Sequence, residues 1–130
     1  MTNSEIVSSF EQGTPPGEGF HHVDHVRVGF AYVCEFPIFE ALEKFSSALK
    51  RLAIKNGRPH LYNETITWAY LFLIRERMTR AGAKLTWEEF VAQNPDLLAW
   101  KPNILSRYYR EETLQSDLAK TTFLMPDRQN

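Results

Sequence analysis

Hydrophobic residues recur at intervals of three and four along most of the chain, which is the spacing of one face of an α-helix. Glycine and proline separate three long stretches of this kind: residues 22–36, 37–56 and 63–80. The second has Pro37 in its first turn and ends at Asn56-Gly57, a pair typical of a left-handed helix cap. No segment shows the apolar and polar alternation of a half-buried strand, so the pattern favours a helical protein.

The stretch at 63–80 differs from the other two because its apolar residues extend almost all the way round the helix. Between Ile66 and Ile74, only Thr67 interrupts a run of apolar and aromatic side chains. A helix that is hydrophobic on every side is typically buried. We therefore predict that it is the central and most buried helix of the fold.

A fourth helix has the clearest start signal. Thr86 and Glu89 have the spacing of a capping box, and Leu85 and Phe90 occupy the positions of the hydrophobic staple that accompanies it. We expect this helix to end at Asn94-Pro95, because proline disfavours helical geometry in the residue before it. Two shorter helices complete the prediction: one through residues 102–109 and one at about 116–122.

The first 19 residues follow a different pattern, because they are mostly polar and are interrupted by glycine and proline. We expect a flexible N-terminal arm at 1–19, a helical domain at 20–127 and a tail at 128–130. The predicted fold class is all-α, a single compact domain of five or six helices with a central apolar helix near 63–80.

Composition narrows the class of protein. A chain of 130 residues with 43% hydrophobic residues is long enough to bury a core without metals or disulfides. The net charge is -1 and no basic run is present, so we expect neither nucleic acid nor a membrane as partner. The chain has one cysteine, Cys34, and no apolar span or signal peptide, so we expect a cytoplasmic protein.

Candidate chemistry is concentrated at the start of the first long helix, where His21, His22 and His25 stand within five positions. His22 and His25 would lie one turn apart on the face that the helix buries, and Gly29 on that face would let a neighbour or a ligand approach. Neutral imidazoles can transfer protons near neutral pH or ligate a transition metal. They can equally be ordinary polar residues at a helix start, because H-x-x-H alone is a weak motif.

A second polar group opens the helix at 63–80. Asn63 is a natural N-cap. Glu64 can be a general base, a metal ligand or simply a first-turn acid favoured by the helix dipole. Other polar and aromatic side chains are candidates for the wall of a ligand pocket: Tyr32, Tyr62, Asn63, Thr67, Trp68 and Tyr108, with Tyr70 and Phe72 as further apolar wall residues.

Three ordered segments resemble those of a family of small uncharacterised bacterial all-helical proteins: H-x-x-H at 22–25, Y-N-E-T-I-T at 62–67 and F-L-M-P-D at 123–127. The likeness covers roughly residues 20 to 127 and implies a shared fold, and with it the expectation of a shared site, without an established reaction. The matching site residues are His22, His25, Tyr62, Glu64, Thr65 and Thr67. Asn63 stands where the family has histidine. A metal site using that histidine would have lost a ligand here, whereas asparagine replaces a capping histidine readily.

Three functions fit these residues. The leading hypothesis is a small-molecule enzyme with a pocket between the first and third predicted helices, in which His22 and His25 act as acid and base and Glu64 orients or shares the proton. A second makes the same three residues the ligands of one divalent transition metal. A third is a non-catalytic helical module that binds an apolar ligand or a second copy of the chain as a homo-oligomer.

Overall fold

The computed structural model describes residues 1–15 and 20–128, and in these ranges the chain forms α-helices and no named strand. The helices are α1 Asn3–Glu11, α2 His22–Glu35, α3 Ile38–Lys55, α4 Glu64–Ala81, α5 Trp87–Gln93, α6 Pro95–Leu98, α7 Glu111–Leu114 and α8 Asp117–Thr121. Two short 3-10 turns connect them, at Pro59–Leu61 and Ile104–Arg107. The predicted all-α class is therefore confirmed. No helix in the described ranges has the length and apolar character needed to cross a membrane.

The long helices begin and end close to where the sequence predicts. After α3, Gly57 takes the left-handed backbone conformation with φ of 71°. At the start of α5, the Glu89 amide donates to the Thr86 hydroxyl at 3.1 Å, and the Thr86 amide donates to the Glu89 carboxylate at 2.9 Å. Both local signals are therefore confirmed. Each depends only on residues a few positions apart, so it can be predicted from the sequence.

The N-terminal residues depart from the expectation of a flexible arm. Thr2 and Glu5 form a capping box at the start of α1, and α1 packs along α2. This packing buries one apolar stripe of α1: Ile6, Val7 and Phe10. The other residues of α1 are polar and lie on its opposite face. A short amphipathic helix of this kind is as polar in composition as a loop, which is why the composition did not predict it. The rest of the predicted arm, at 16–19, and the last two residues of the predicted tail lie outside the described residues.

α2, rather than α4, has the larger buried share. Seven of the 14 residues of α2 are buried, against six of the 18 residues of α4. α2 is packed against α1, α3, α4 and α6, whereas α4 keeps Phe72 38% exposed. The prediction that α4 is the most buried helix is therefore wrong. The sequence pattern did not predict α1, and the packing of α1 on α2 adds to the buried residues of α2.

The segment that follows α8 returns to the start of α4. The Thr65 hydroxyl lies 2.9 and 2.8 Å from the carbonyl oxygens of Ala119 and Thr122, and it accepts a hydrogen bond from the Leu124 amide at 3.1 Å. The Tyr109 hydroxyl donates to the Leu124 carbonyl at 2.7 Å. We call residues 122–127 the C-terminal segment, and these bonds make it part of the fold.

The helix predicted at 102–109 is shorter than expected. Only a 3-10 turn forms, at Ile104–Arg107, where the Asn103 side chain accepts from the Leu105 amide at 3.0 Å. The chain then turns so that Tyr109 is buried while Tyr108 is 37% exposed. The predicted helix is thus reduced to one short turn, after which Tyr109 packs into the core.

Candidate functional site

α2, α3 and α4 enclose a cleft of about 1000 Å³. The first turns of α2 and α4 and the last turns of α3 form its walls, and Leu98 and Trp100 lie at one side. Its apolar floor consists of Val26, Phe45, Leu49, Leu52, Leu71 and Ile74. A concave, mostly apolar space of this size with a few polar groups is typical of small-molecule sites.

Gly29 of α2 allows α4 to pack closely against α2 at the floor of the cleft. A Cβ atom at this position would lie 3.1 Å from Leu71 Cδ2 and 3.4 Å from Ile74 Cδ1. Both distances are at or below ordinary van der Waals contact, so side chains of α4 occupy the space that a larger residue would need. The close approach expected at Gly29 is therefore made by the neighbouring helix.

His22 lies on the cleft wall in a defined orientation. Its Nε2 is 2.9 Å from the Leu97 carbonyl oxygen. A carbonyl only accepts, so Nε2 carries the proton and Nδ1 of the neutral ring is an acceptor. The ring packs against Tyr70 and Trp100, with centroid distances of 5.1 and 4.7 Å. Burial lowers the pKa of His22 while the bond to Leu97 opposes that shift, so the imidazole is neutral at pH 7.

His25 lies one turn further along α2 and lines the same cleft. Its ring stacks on Phe20 with a centroid distance of 3.9 Å. Burial and, to a smaller extent, the neighbouring His22 lower the pKa of His25 to about 4, and Asp24 opposes the shift. The structure thus places two neutral imidazoles on one wall of an apolar cleft.

Glu64 does not line the cleft. Its carboxylate accepts a hydrogen bond from the Tyr62 hydroxyl, and Lys50 Nζ lies 3.9 Å away. Tyr62 itself does line the cleft, and burial together with the bond to Glu64 raises the pKa of its hydroxyl. Glu64 therefore reaches the cleft only through Tyr62, and the expected shared proton between Glu64 and the histidines has no direct path.

The structure does not bring the three predicted metal ligands into one site. Across residues 1–15 and 20–128, no three His, Cys, Asp or Glu side chains are grouped closely enough to hold a metal ion. His22 and His25 share the cleft, whereas Glu64 is held by Tyr62 and Lys50.

Asn63 and Thr67 line the cleft, but their polar groups are bonded within the fold. Asn63 Oδ1 accepts from the Ile66 amide at 2.9 Å, and Nδ2 donates to the Leu114 carbonyl at 2.7 Å. The Thr67 hydroxyl donates to the Asn63 carbonyl at 2.8 Å. Asn63 is thus the N-cap of α4, a role that asparagine fills without any metal.

Three predicted pocket residues lie elsewhere. The Tyr32 hydroxyl donates to Glu11 at 2.7 Å on the α1 side of α2. Trp68 Nε1 donates to the Ser46 hydroxyl at 2.9 Å, on the face of α4 that contacts α3. Tyr108 is half-exposed after the second 3-10 turn and does not line the cleft. Phe72, a further candidate, is 38% exposed and does not line the cleft either.

The cleft also contains groups that the spacing did not single out. Arg58 and Trp100 reach it from loops, and the Leu97 carbonyl comes from α6, so no periodic pattern connects them to the histidines. Tyr70 was expected only as an apolar wall residue. Its hydroxyl is buried and has no hydrogen-bond partner among the described residues, and burial raises its pKa.

Comparison with known proteins adds no further constraint on the site. No protein-family model matches the chain, and no curated protein or solved structure is significantly similar to it. The resemblance to the bacterial family stays an expectation from the three sequence segments.

Proposed function

We propose that the protein is a small-molecule enzyme that binds its substrate in the cleft between α2 and α4, with His22 as a general base and His25 as a neutral hydrogen-bonding partner of the substrate. The observation that carries this proposal is the pair of neutral imidazoles on the wall of an otherwise apolar cleft. An apolar ligand could be held by the floor alone. Imidazoles that are partly removed from water beside that floor are unfavourable in a site that only binds an apolar ligand. They are, however, the groups that proton transfer requires.

The two histidines have different roles in this proposal. His22 is the general base. Its Nε2–H donates to the Leu97 carbonyl, so Nδ1 is the ring nitrogen that can accept a proton from the substrate. The same carbonyl then stabilises the imidazolium, since the bond to it opposes the lowering of the His22 pKa by burial. His25 stays neutral at pH 7 and hydrogen-bonds a polar group of the substrate. Glu64 is a positioning residue that fixes the Tyr62 hydroxyl.

The test begins with ligand discovery and ends with turnover. Because Trp100 packs on His22, its fluorescence should report binding from a panel of small organic molecules. Compounds that bind are then assayed for conversion by NMR. In the variant His22→Gln, the amide can still donate to Leu97 while the base is lost. We expect turnover to fall by roughly 10²-fold or more with a stability change below about 2 kcal/mol.

The control is His60→Gln, which removes an exposed imidazole outside the cleft and should leave turnover unchanged. Full activity in His22→Gln would contradict the assignment of the base. A second candidate, a binding module without turnover, is favoured by the apolar floor alone. It requires compounds that bind the wild-type cleft and are never converted.

A further inference from the structure

We infer that the substrate carries an anionic group, a carboxylate or a phosphate, on an apolar body, and that Arg58 binds this anion in the cleft. The inference rests on the proposed function, because it names the class of molecule that the histidines would act on. It is carried by the charges that line the cleft, by the donors that lack an acceptor there, and by the helices that begin there.

The wall of the cleft has a charge opposite to that of the protein. Of the described residues that line it, Arg58 is the one with a permanent charge, and none is Asp, Glu or Lys. The whole chain has 15 Lys and Arg against 16 Asp and Glu. An acid-free wall with one guanidinium attracts an anion and repels a cation.

The Arg58 side chain is exposed, and its guanidinium has no acceptor among the described residues. Within the described residues it makes no ion pair, whereas Arg51 binds Glu11 at 2.9 Å and Arg77 binds Asp96 at 2.9 Å. A guanidinium offers parallel N–H donors that match a carboxylate or a phosphate. Arg58 is thus a donor group at the cleft that an anionic substrate would satisfy.

Tyr70 is a second donor without an acceptor. The residue is 8% exposed, lines the cleft and packs on the His22 ring, yet its hydroxyl has no partner among the described residues. A buried hydroxyl without a partner is unfavourable and is usually found where something else supplies the bond. Because carboxylate and phosphate oxygens accept hydrogen bonds, an anionic substrate suits a site whose unsatisfied groups are donors.

Two long helices begin at the cleft. His21 to Val23 at the start of α2 and Tyr62 with Asn63 at the start of α4 all line it. The partial positive charge of a helix N-terminus favours an anion. The end of α3 at Asn56 contributes the opposite sign, and Arg58 stands two residues after it.

The acids in the first turns of these helices are already engaged. Asp24 accepts from the His21 amide at 3.0 Å, and Glu64 binds Tyr62 and Lys50. Neither carboxylate lines the cleft. Among the described residues that line the cleft, Arg58 is therefore the one that brings a permanent charge to an anion bound there.

The experiment compares four ligands that share one alkyl chain: decanoate, decyl phosphate, decanol and decyltrimethylammonium. Binding is measured by titration calorimetry on the wild-type chain. We expect both anions to bind roughly ten-fold to hundred-fold more tightly than decanol, and the cation to bind most weakly. The tighter of the two anions identifies the head group. Arg58→Gln should abolish the preference while leaving the affinity for decanol unchanged.

The matched control is Arg75→Gln, which removes the same charge from an exposed position on α4 that contacts Thr79 and does not line the cleft. It should keep the preference for anions. Equal affinity for decanoate and decanol in the wild type would overturn the inference, as would an unchanged preference in Arg58→Gln or failure of all four ligands to bind. A retained preference without turnover of any anionic compound would instead overturn the proposed function, and the anion would then be a ligand.

Discussion

The two ends of α2 lie in opposite surroundings. In its second half Phe30 is fully buried, and its ring packs against Trp87 and Phe90 at centroid distances of 5.4 and 5.0 Å. In its first turns, His22 and His25 line an open cleft. One helix thus has a second half in which residues 28–33 are all buried, and a first half that faces a space large enough for a ligand.

This difference means that different parts of one helix stabilise the fold and form the candidate site. The covered end, residues 28–33, makes the contacts that hold α2 in place. The open end carries the imidazoles, and its position follows from the packing of the covered end. Site residues on a rigid element are held more accurately than residues on a loop. Substitutions at the covered end should therefore cost stability, and substitutions at the open end should alter binding, proton transfer and pH dependence.

The largest effect is expected at the covered end. Phe30→Ala removes a ring that is 0% exposed, and the cavity left behind should lower the free energy of unfolding by about 3–5 kcal/mol. Urea denaturation measures this loss. Phe39→Ala on α3 is the control, because Phe39 is 81% exposed and its removal should change stability by no more than about 0.5 kcal/mol. Similar losses in the two variants would show that the covered end is not the stabilising one.

A smaller effect is expected where the two ends meet. Gly29→Val adds atoms at a site where even a Cβ lies 3.1 Å from Leu71. Overpacking of this kind should lower the free energy of unfolding by about 1–3 kcal/mol and weaken binding in the cleft above it. Thermal denaturation and titration with decanol measure the two effects. Gly29→Ala should be milder because its helix propensity offsets the tight contact. A valine variant as stable as the wild type would mean that the floor has unused space.

The effect at the open end depends on pH. The pKa of His25 is about 4 in the folded protein and near its ordinary value of 6.5 in the unfolded chain. Below pH 6.5 the unfolded chain therefore binds more protons, and the free energy of unfolding falls as the pH drops from 6.5 to 4. Between pH 7 and 5 we expect His25 to account for a loss of about 2 kcal/mol.

The comparison for this prediction is His25→Phe, which keeps an aromatic ring stacked on Phe20 and removes the proton site. Denaturation at pH 7 and pH 5 should show the smaller loss in the variant. Acid-sensitive groups elsewhere, such as Asp96 beside Arg77, are common to both proteins and cancel. Equal losses in the two proteins would mean that His25 is not desolvated in the fold.

The parts that the sequence predicts correctly are those set by close neighbours along the chain. The start of α5 follows from Thr86 and Glu89, and the end of α3 from Asn56-Gly57. His22 and His25 share a wall because a separation of three residues puts them on one helix face. The class of the fold and one wall of the cleft could therefore be predicted without a structure.

Other parts depend on packing between elements. α1 is short and polar in composition, and its burial becomes evident only when α2 is beside it. Glu64 and Trp68 lie on the same face of α4 four residues apart, and that face contacts Lys50 and Ser46 of α3. Neighbouring residues on a helix differ by about 100° in direction, so the spacing did not decide which of them faces the cleft. Arg58 is in a loop, where no periodicity applies.

The bonds of Thr65 have a consequence for synthesis of the chain on the ribosome. Thr65 is near the start of α4, yet its partners Ala119, Thr122 and Leu124 are 54, 57 and 59 residues further on. α4 emerges long before them, while domains fold as units during synthesis. Until residues 119–124 have emerged, one side of α4 stays uncovered in the nascent chain. A ribosome that pauses within this interval therefore presents an incomplete core to the cell's chaperones.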